Sequence, residues 1–259
     1  MSRVLTAAVL IPAVTYVAIW GHFYLFLAVL AAVALLCFRE YCAIVAAHGI
    51  IPPGPVGYAA GLAVLLVPEH GLLLATIVAL AALALAMRSP ELSRALPRAA
   101  ALTFGVLYVF GAWKAGIGLR AIGPYWLFFA LTLSWVGDTA AYVAGIAAGR
   151  HKLAPRLSPA KSWEGSIASL AVSVIYAWLY FAWLIPDAPF WQVLLLAALG
   201  NVAGQAGDLA ESAMKRGASL KDSGNSLPGH GGWLDRTDST LFALPTIYAA
   251  VLLLMRQPG

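Results

Sequence analysis

Between Ser212 and Asp238 the chain runs Ser212-Ala213-Met214-Lys215-Arg216, then Lys221-Asp222, Gly224 and Leu227-Pro228, and ends His230-Gly231-Gly232-Trp233-Leu234-Asp235-Arg236-Thr237-Asp238. The cations Lys215, Arg216, Lys221 and Arg236 alternate with the acids Asp222, Asp235 and Asp238 in a glycine-rich stretch. That mixture suits a polyphosphate. Lys and Arg bind phosphate oxygens, and Arg can do so bidentately. Glycines let backbone N–H groups approach an anion. Carboxylates can hold Mg²⁺ between themselves and phosphates, the usual arrangement for this ion. An ordinary basic loop that orients a helix and touches anionic lipid accounts for scattered Lys and Arg. It does not account for the alternating acids or for His230-Gly231-Gly232. Phosphate chemistry is the stronger reading.

A second polar stretch runs from Gly149-Arg150-His151-Lys152 through Arg156 to Ser158-Pro159-Ala160-Lys161-Ser162-Trp163-Glu164-Gly165. Ser158 or Ser162 can cap a following helix, with Glu164 in its first turn. Capping is a sufficient account of those residues, and it leaves Lys152, Arg156 and Lys161 for phosphate binding. Acids also occur inside apolar segments. Ser134, Asp138 and Tyr142, at spacing four, share one helical face. Asn201, Gln205, Asp208 and Ser212 form a second stripe, near Glu211 and beside Gly200, Gly204 and Gly207, small residues that allow close helix approach. Hydrogen bonds between the two stripes would explain Asn201 and Gln205. They explain the carboxylates less well, because an Asp at a bilayer centre costs about 2.5–3.5 kcal/mol and asks for a cation or a proton.

Composition says which elements must position these groups. The chain has 259 residues, 62% of them hydrophobic and 10% charged, and a mean hydropathy of +0.85. Soluble domains carry about 25% charged residues, so most of this surface faces lipid. The expected fold is all-α, a polytopic transmembrane bundle. A spanning helix takes about 20 apolar residues. Segments of that kind lie at roughly 4–20, 23–38, 55–68, 71–87, 99–117, 124–146, 165–185, 190–211 and 238–255, about nine spans. With the N-terminus in the cytoplasm, every basic residue except Lys114, Arg120 and Arg256 falls on the inside, the bias expected of a bacterial-type plasma membrane protein. Loops 147–164 and 212–237 then share the cytoplasmic face. The net charge of +5 reads as this orientation signal, and no nucleic-acid partner is expected. The N-terminal apolar run reads as a retained first helix. Cys37 and Cys42 read as reduced packing residues. The chain divides into residues 1–130, helices of open role, and residues 131–259, the catalytic region.

The pattern Ser212-x-Met214-Lys215-Arg216-x₄-Lys221-Asp222-x-Gly224-x₂-Leu227-Pro228-x-His230-Gly231-Gly232-Trp233-x-Asp235-Arg236-Thr237-Asp238 resembles, without a gap, the signature of phosphatidate cytidylyltransferases (CDP-diacylglycerol synthases). Asp138-Thr139-Ala140-Ala141-Tyr142, Gly149-Arg150 and Ser158 to Gly165 are similar to that family's second motif, with Ser162 where Thr is commoner. The resemblance covers about residues 130–255. It implies the conversion of CTP and phosphatidic acid to CDP-diacylglycerol and pyrophosphate, dependent on Mg²⁺, at the cytoplasmic membrane. It also implies Asp208 and Asp235 as metal-binding carboxylates, a K⁺ ion beside Mg²⁺, and a homodimer.

Taken together, the candidate catalytic set is Lys215, Arg216, Lys221, Asp222, His230, Asp235, Arg236 and Asp238. The candidate substrate-binding set is Asp138, Tyr142, Lys152, Ser158, Lys161, Ser162, Glu164 and Ser212. His230 is as well placed to shape the glycine turn as to donate to a phosphate. Three rival readings stand beside this one. Cytidylyl transfer to another lipid phosphate, such as a polyprenyl-linked one, uses the same residues. An ion-coupled transporter would employ Asp138 and Asp208, but the inverted repeat common in that class is missing from the sequence. A membrane scaffold leaves the loop acids unexplained.

Overall fold

The computed structural model describes residues 2–68, 71–89, 91–227, 229 and 231–254. Helices dominate: α1 (Ser2–Ile19), α2 (Phe23–Ala47), α3 (Gly54–Leu66), α4 (Gly71–Ala86), α5 (Ala95–Gly105), α6 (Ala112–Ile122), α7 (Pro124–Ala148), α8 (Trp163–Leu184), α9 (Phe190–Gly217) and α10 (Leu234–Leu254). A 3₁₀ turn, Leu92–Arg94, leads into α5, and a π-helical segment, Val106–Gly111, joins α5 to α6. Among the described residues six helical stretches are long and apolar enough to cross a membrane: α2, the run Leu92–Ile122, α7, α8, α9 and α10. Ala8–Ile19, α3 and α4 are apolar but shorter.

The expected helical architecture holds, with one addition and one difference in bounds. The 147–164 loop holds a short antiparallel hairpin of β1 (Lys152–Ala154) and β2 (Ser158–Ser162). Its turn-forming composition hid strands this short, and Pro159 is tolerated because a two-stranded ribbon is all edge. The helices also run past their apolar windows. α2 continues to Ala47 and takes in Arg39 and Glu40, while α9 continues to Gly217 and takes in Ser212, Lys215 and Arg216. α10 opens at Leu234, so Asp235 to Asp238 are helical rather than loop. Lys, Arg and Glu are good helix formers, so a charge ends a hydropathy window without ending a helix.

The chain forms two compact units. The first comprises Met1–Ala13, Gly21–Lys114 and Met214–Arg236. Its core is aromatic: Phe38 stacks on Tyr41, meets Tyr58 edge-on and touches Phe110. The Tyr41 hydroxyl donates to the Ala101 carbonyl at 2.8 Å. Lys114 donates to the Val64 carbonyl at 2.9 Å and also to that of Val67. A cation thereby satisfies carbonyls that the end of α3 leaves open.

The second unit comprises Val14–Trp20, Ala115–Ala213 and Thr237–Gly259. Arg120 does for α1 what Lys114 does for α3, donating to Val17 and Ala18 carbonyls at 2.6 and 2.5 Å. α7 and α8 pack along one another. α9 approaches α10 through its glycines: a Cβ at Gly200 would stand 2.8 Å from Ile247 Cδ1, and one at Gly207 would stand 2.6 Å from the Asp238 carbonyl oxygen.

Candidate active site

In the first unit the signature loop is built around two buried carboxylates. α9 ends where Ser219 turns left-handed (φ 58°), with Leu220 N–H returning to the Lys215 carbonyl at 2.8 Å and Arg216 donating to the Leu220 carbonyl at 2.8 Å. This geometry favours glycine. Ser219→Gly is therefore expected to stabilise the folded chain by about 0.5–1 kcal/mol, read as a higher unfolding temperature in detergent. An unchanged or lower temperature would show that the serine is not strained.

Beyond that cap, Leu227 pairs with Gly231 in an antiparallel bridge, and Gly229 and Gly231 take positive φ, 76° and 79°. The chain then enters α10 with Asp235 in the first turn, its carboxylate pointing back into the loop. Asp235 Oδ1 accepts from Lys215 Nζ at 2.5 Å and from Ser223 N–H at 3.1 Å, and Oδ2 accepts from Ser223 N–H at 2.9 Å and Gly232 N–H at 2.8 Å. The Lys215 and Asp235 side chains are only 9% and 6% exposed. This is a desolvated ion pair, the kind whose single partners cannot be removed cheaply.

The second carboxylate is Glu40 of α2, which the sequence reading passed over. It is buried and accepts from Ser223 Oγ at 3.0 Å, Ser226 Oγ at 2.8 Å and Leu234 N–H at 2.8 Å. The two acids explain the adjacent glycines. A Cβ at Gly231 would stand 2.7 Å from Asp235 Oδ2, and one at Gly232 would run into Glu40 Oε2 and Ser223 Oγ. The available signal was an acid inside an apolar helix, which is itself a reason to suspect a role. Arg216, Lys221, Asp222 and Arg236 are exposed around this framework. His230 and Pro228 lie outside the described residues.

The second unit holds the other candidates. Lys161, on β2, meets Asp208 Oδ2 at 2.5 Å, and Ser212 Oγ lies 3.4 Å from Asp208 Oδ1, a weak contact. Asp238 is buried, with Asp208, Glu211 and Asp138 close enough for their charges to be felt there. Glu211 is fully buried, whereas Asp138 and Tyr142 are exposed on α7. The polar stripe of α9 finds partners on α8. Asn201 Nδ2 donates to Ser169 and Ser173 at 2.8 and 2.9 Å, and Gln205 bonds to Ser166. Gly137 of α7 makes room for this cluster, since a Cβ there would stand 2.6 Å from Asn201 Nδ2. The serines at 166, 169 and 173, at helical spacing, were the readable and overlooked signal.

In the hairpin, Ser162 caps α8 by accepting from Gly165 N–H at 3.2 Å. Glu164 clasps the hairpin's start, accepting from the Arg150 and His151 N–H groups at 3.2 Å and meeting His151 Nδ1 at 2.6 Å. Both residues thus have a positioning job of their own. Lys152 and Arg156 are exposed and Ser158 is half-buried.

Among the described residues no three of His, Cys, Asp and Glu stand close enough to hold one metal ion. The donor chemistry nevertheless fits a hard cation. Mg²⁺ takes one or two carboxylates and completes its shell with water and phosphate, and Asp208, Glu211 and Asp138 gather near the buried Asp238, with Lys161 as a counter-charge at Asp208.

A model of the cytidylyltransferase family matches residues 1–254. The chain is 37% identical over 150 residues to a phosphatidate cytidylyltransferase of Bacillus subtilis, covering 57% of this chain and 56% of that protein. It is 41% identical over 128 residues to one of Staphylococcus saprophyticus, covering 49% of each. It is 35% identical over 204 residues to one of Staphylococcus aureus, covering 75% of this chain and 77% of its relative. The matched stretch thus spans about half the length of the first two relatives and three quarters of the third. With the family matched from the first helix into the last, and the signature loop folded around its buried acids, the chain belongs to the cytidylyltransferase family.

Proposed function

We propose that this chain is a membrane-bound phosphatidate cytidylyltransferase, making CDP-diacylglycerol and pyrophosphate from CTP and phosphatidic acid for phospholipid biosynthesis. The observation that carries the reading is the buried Lys215–Asp235 pair inside a glycine turn, within a chain matched by the family over residues 1–254. A phosphate oxygen of the lipid attacks the α-phosphorus of CTP. The bond from that phosphorus to the α,β-bridging oxygen breaks, and its electron pair leaves with pyrophosphate. The phosphomonoester is already largely ionised near pH 7, so no general base is required. The obstacle is repulsion between two anions, and catalysis is positioning plus charge neutralisation. Lys215, Arg216, Lys221 and Arg236 neutralise phosphate charge, and Lys152, Arg156 and Lys161 gather the head group or the triphosphate.

Asp208 and Asp235 are the residues proposed to hold Mg²⁺, which when bound supplies charge stabilisation at phosphate oxygens. The family resemblance extends the proposal to a K⁺ ion and a homodimer. Six long apolar helices and three shorter ones among the described residues, with the bias of the basic residues, support nine crossings, a cytoplasmic N-terminus and a site facing the cytoplasm.

The test is purified protein in detergent with CTP, Mg²⁺ and a panel of lipid phosphates. Pyrophosphate and CDP-lipid are expected to appear with phosphatidate. Product only with a polyprenyl phosphate would move the substrate. Absence of pyrophosphate with every lipid would remove the enzyme reading.

A further inference from the structure

Glu40 is a carboxylate buried in a helix long and apolar enough to cross a membrane. An ionisable group in such a place is costly and calls for a reason. Three donors serve it, and all come from one short stretch of the signature loop: Ser223 Oγ, Ser226 Oγ and Leu234 N–H. A carboxylate accepts all three without strain, because an ionised Glu is an acceptor only. Two of those partners also set the place of Asp235. Ser223 gives its hydroxyl to Glu40 and its N–H to Asp235, and Leu234, held by its own N–H, precedes Asp235 in the chain. Asp235 in turn fixes the Lys215 ammonium. The contact from α2 to Leu234 joins residues 194 positions apart.

We infer that Glu40 is a positioning residue for the reaction: its carboxylate holds the 223–234 segment so that Asp235 and Lys215 stand in their working arrangement. The inference rests on the activity proposed above. Misplacing reacting groups by about 1 Å from a distance can cost about 10²-fold in rate, and the cost falls on kcat where the lost interaction matters only in the transition state.

Full-length protein in detergent, with Glu40→Ala and Glu40→Gln, tests it. Gln keeps the shape. Its carbonyl can serve Ser223 and Leu234, while its amide faces a Ser226 hydroxyl that can turn to accept. Glu40→Ala is expected to lower kcat about 100-fold with KM for CTP and phosphatidate within about threefold. Glu40→Gln is expected to stay within about tenfold of the parent. Hydrogen exchange in Glu40→Ala is expected to speed up over 216–236 and to stay unchanged over 165–205.

Full activity in Glu40→Ala overturns the inference. So does faster exchange spread over the whole chain, or a Gln variant as impaired as Ala. Should Glu40→Ala fail to accumulate, Ser223→Ala/Ser226→Ala loosens the same contacts from the loop side and is expected to show the same fall in kcat. If the parent makes no CDP-lipid, the proposed activity fails alone, and local exchange still decides whether Glu40 holds the loop.

Discussion

Asp235→Asn is expected to abolish CTP-dependent lipid product, with a loss of about a thousandfold or more, while the protein still inserts. Either orientation of the amide is wrong. Its NH₂ faces Lys215 and Ser223 on one side, or Ser223 and Gly232 on the other, and every one of those groups is a donor. The change also strips the buried Lys215 of its counter-charge, which typically costs about 3–5 kcal/mol. A double variant separates the two effects. Replacing both partners of a buried pair by neutral groups is often harmless to stability, so Lys215→Met/Asp235→Asn should recover unfolding temperature relative to Asp235→Asn and remain inactive. Recovered activity in the double variant would reduce the pair to a structural tie. Near-normal activity in Asp235→Asn alone would remove Asp235 from the chemistry.

Gly207→Leu is expected to leave little folded protein. A Cβ at this position stands 2.6 Å from the Asp238 carbonyl oxygen and 2.9–3.0 Å from Phe242. A side chain can rotate away, but a carbonyl in α10 cannot move without the helix. Overpacking typically costs about 1–3 kcal/mol for small insertions and more for large ones, against a total stability of about 5–15 kcal/mol. Gly204 is the control. Its Cβ would meet Ser239 O at 3.5 Å, an ordinary contact, so Gly204→Ala should be near neutral where Gly207→Ala is not. Equal unfolding temperatures for the two Ala variants would sink the argument.

Much of this was legible in the amino-acid sequence. Each apolar window holds a helix, because hydrophobic length is a strong signal and lipid admits few other shapes. The helix ends were less legible. Arg39, Glu40, Lys215 and Arg216 look like loop residues by hydropathy and are helical by propensity. The hairpin at Lys152–Ser162 was hidden because its strands are too short to show alternation. The signature loop announced itself through its own residues, but what shapes it did not. Glu40 lies about 190 positions upstream in a region without a motif, and no local pattern connects it to Ser223 or Leu234. For the same reason the α8 partners of the α9 stripe are hard to read from the sequence. They are serines, whose small hydroxyls barely disturb an apolar helix profile.

The fit of Gly232 against Glu40 bears on how far the protein is modular. Residues 1–130 carry none of the polar motif residues, yet one of them, Glu40, fills the space that a missing side chain at 232 leaves open. A chimera carrying a relative's first helices on this chain's second half should work only if those helices bring an acid of the right length to the same register. Where they bring a shorter one, the natural repair is a larger residue at 232. Glu40 and Gly232 are interchangeable only as a matched pair.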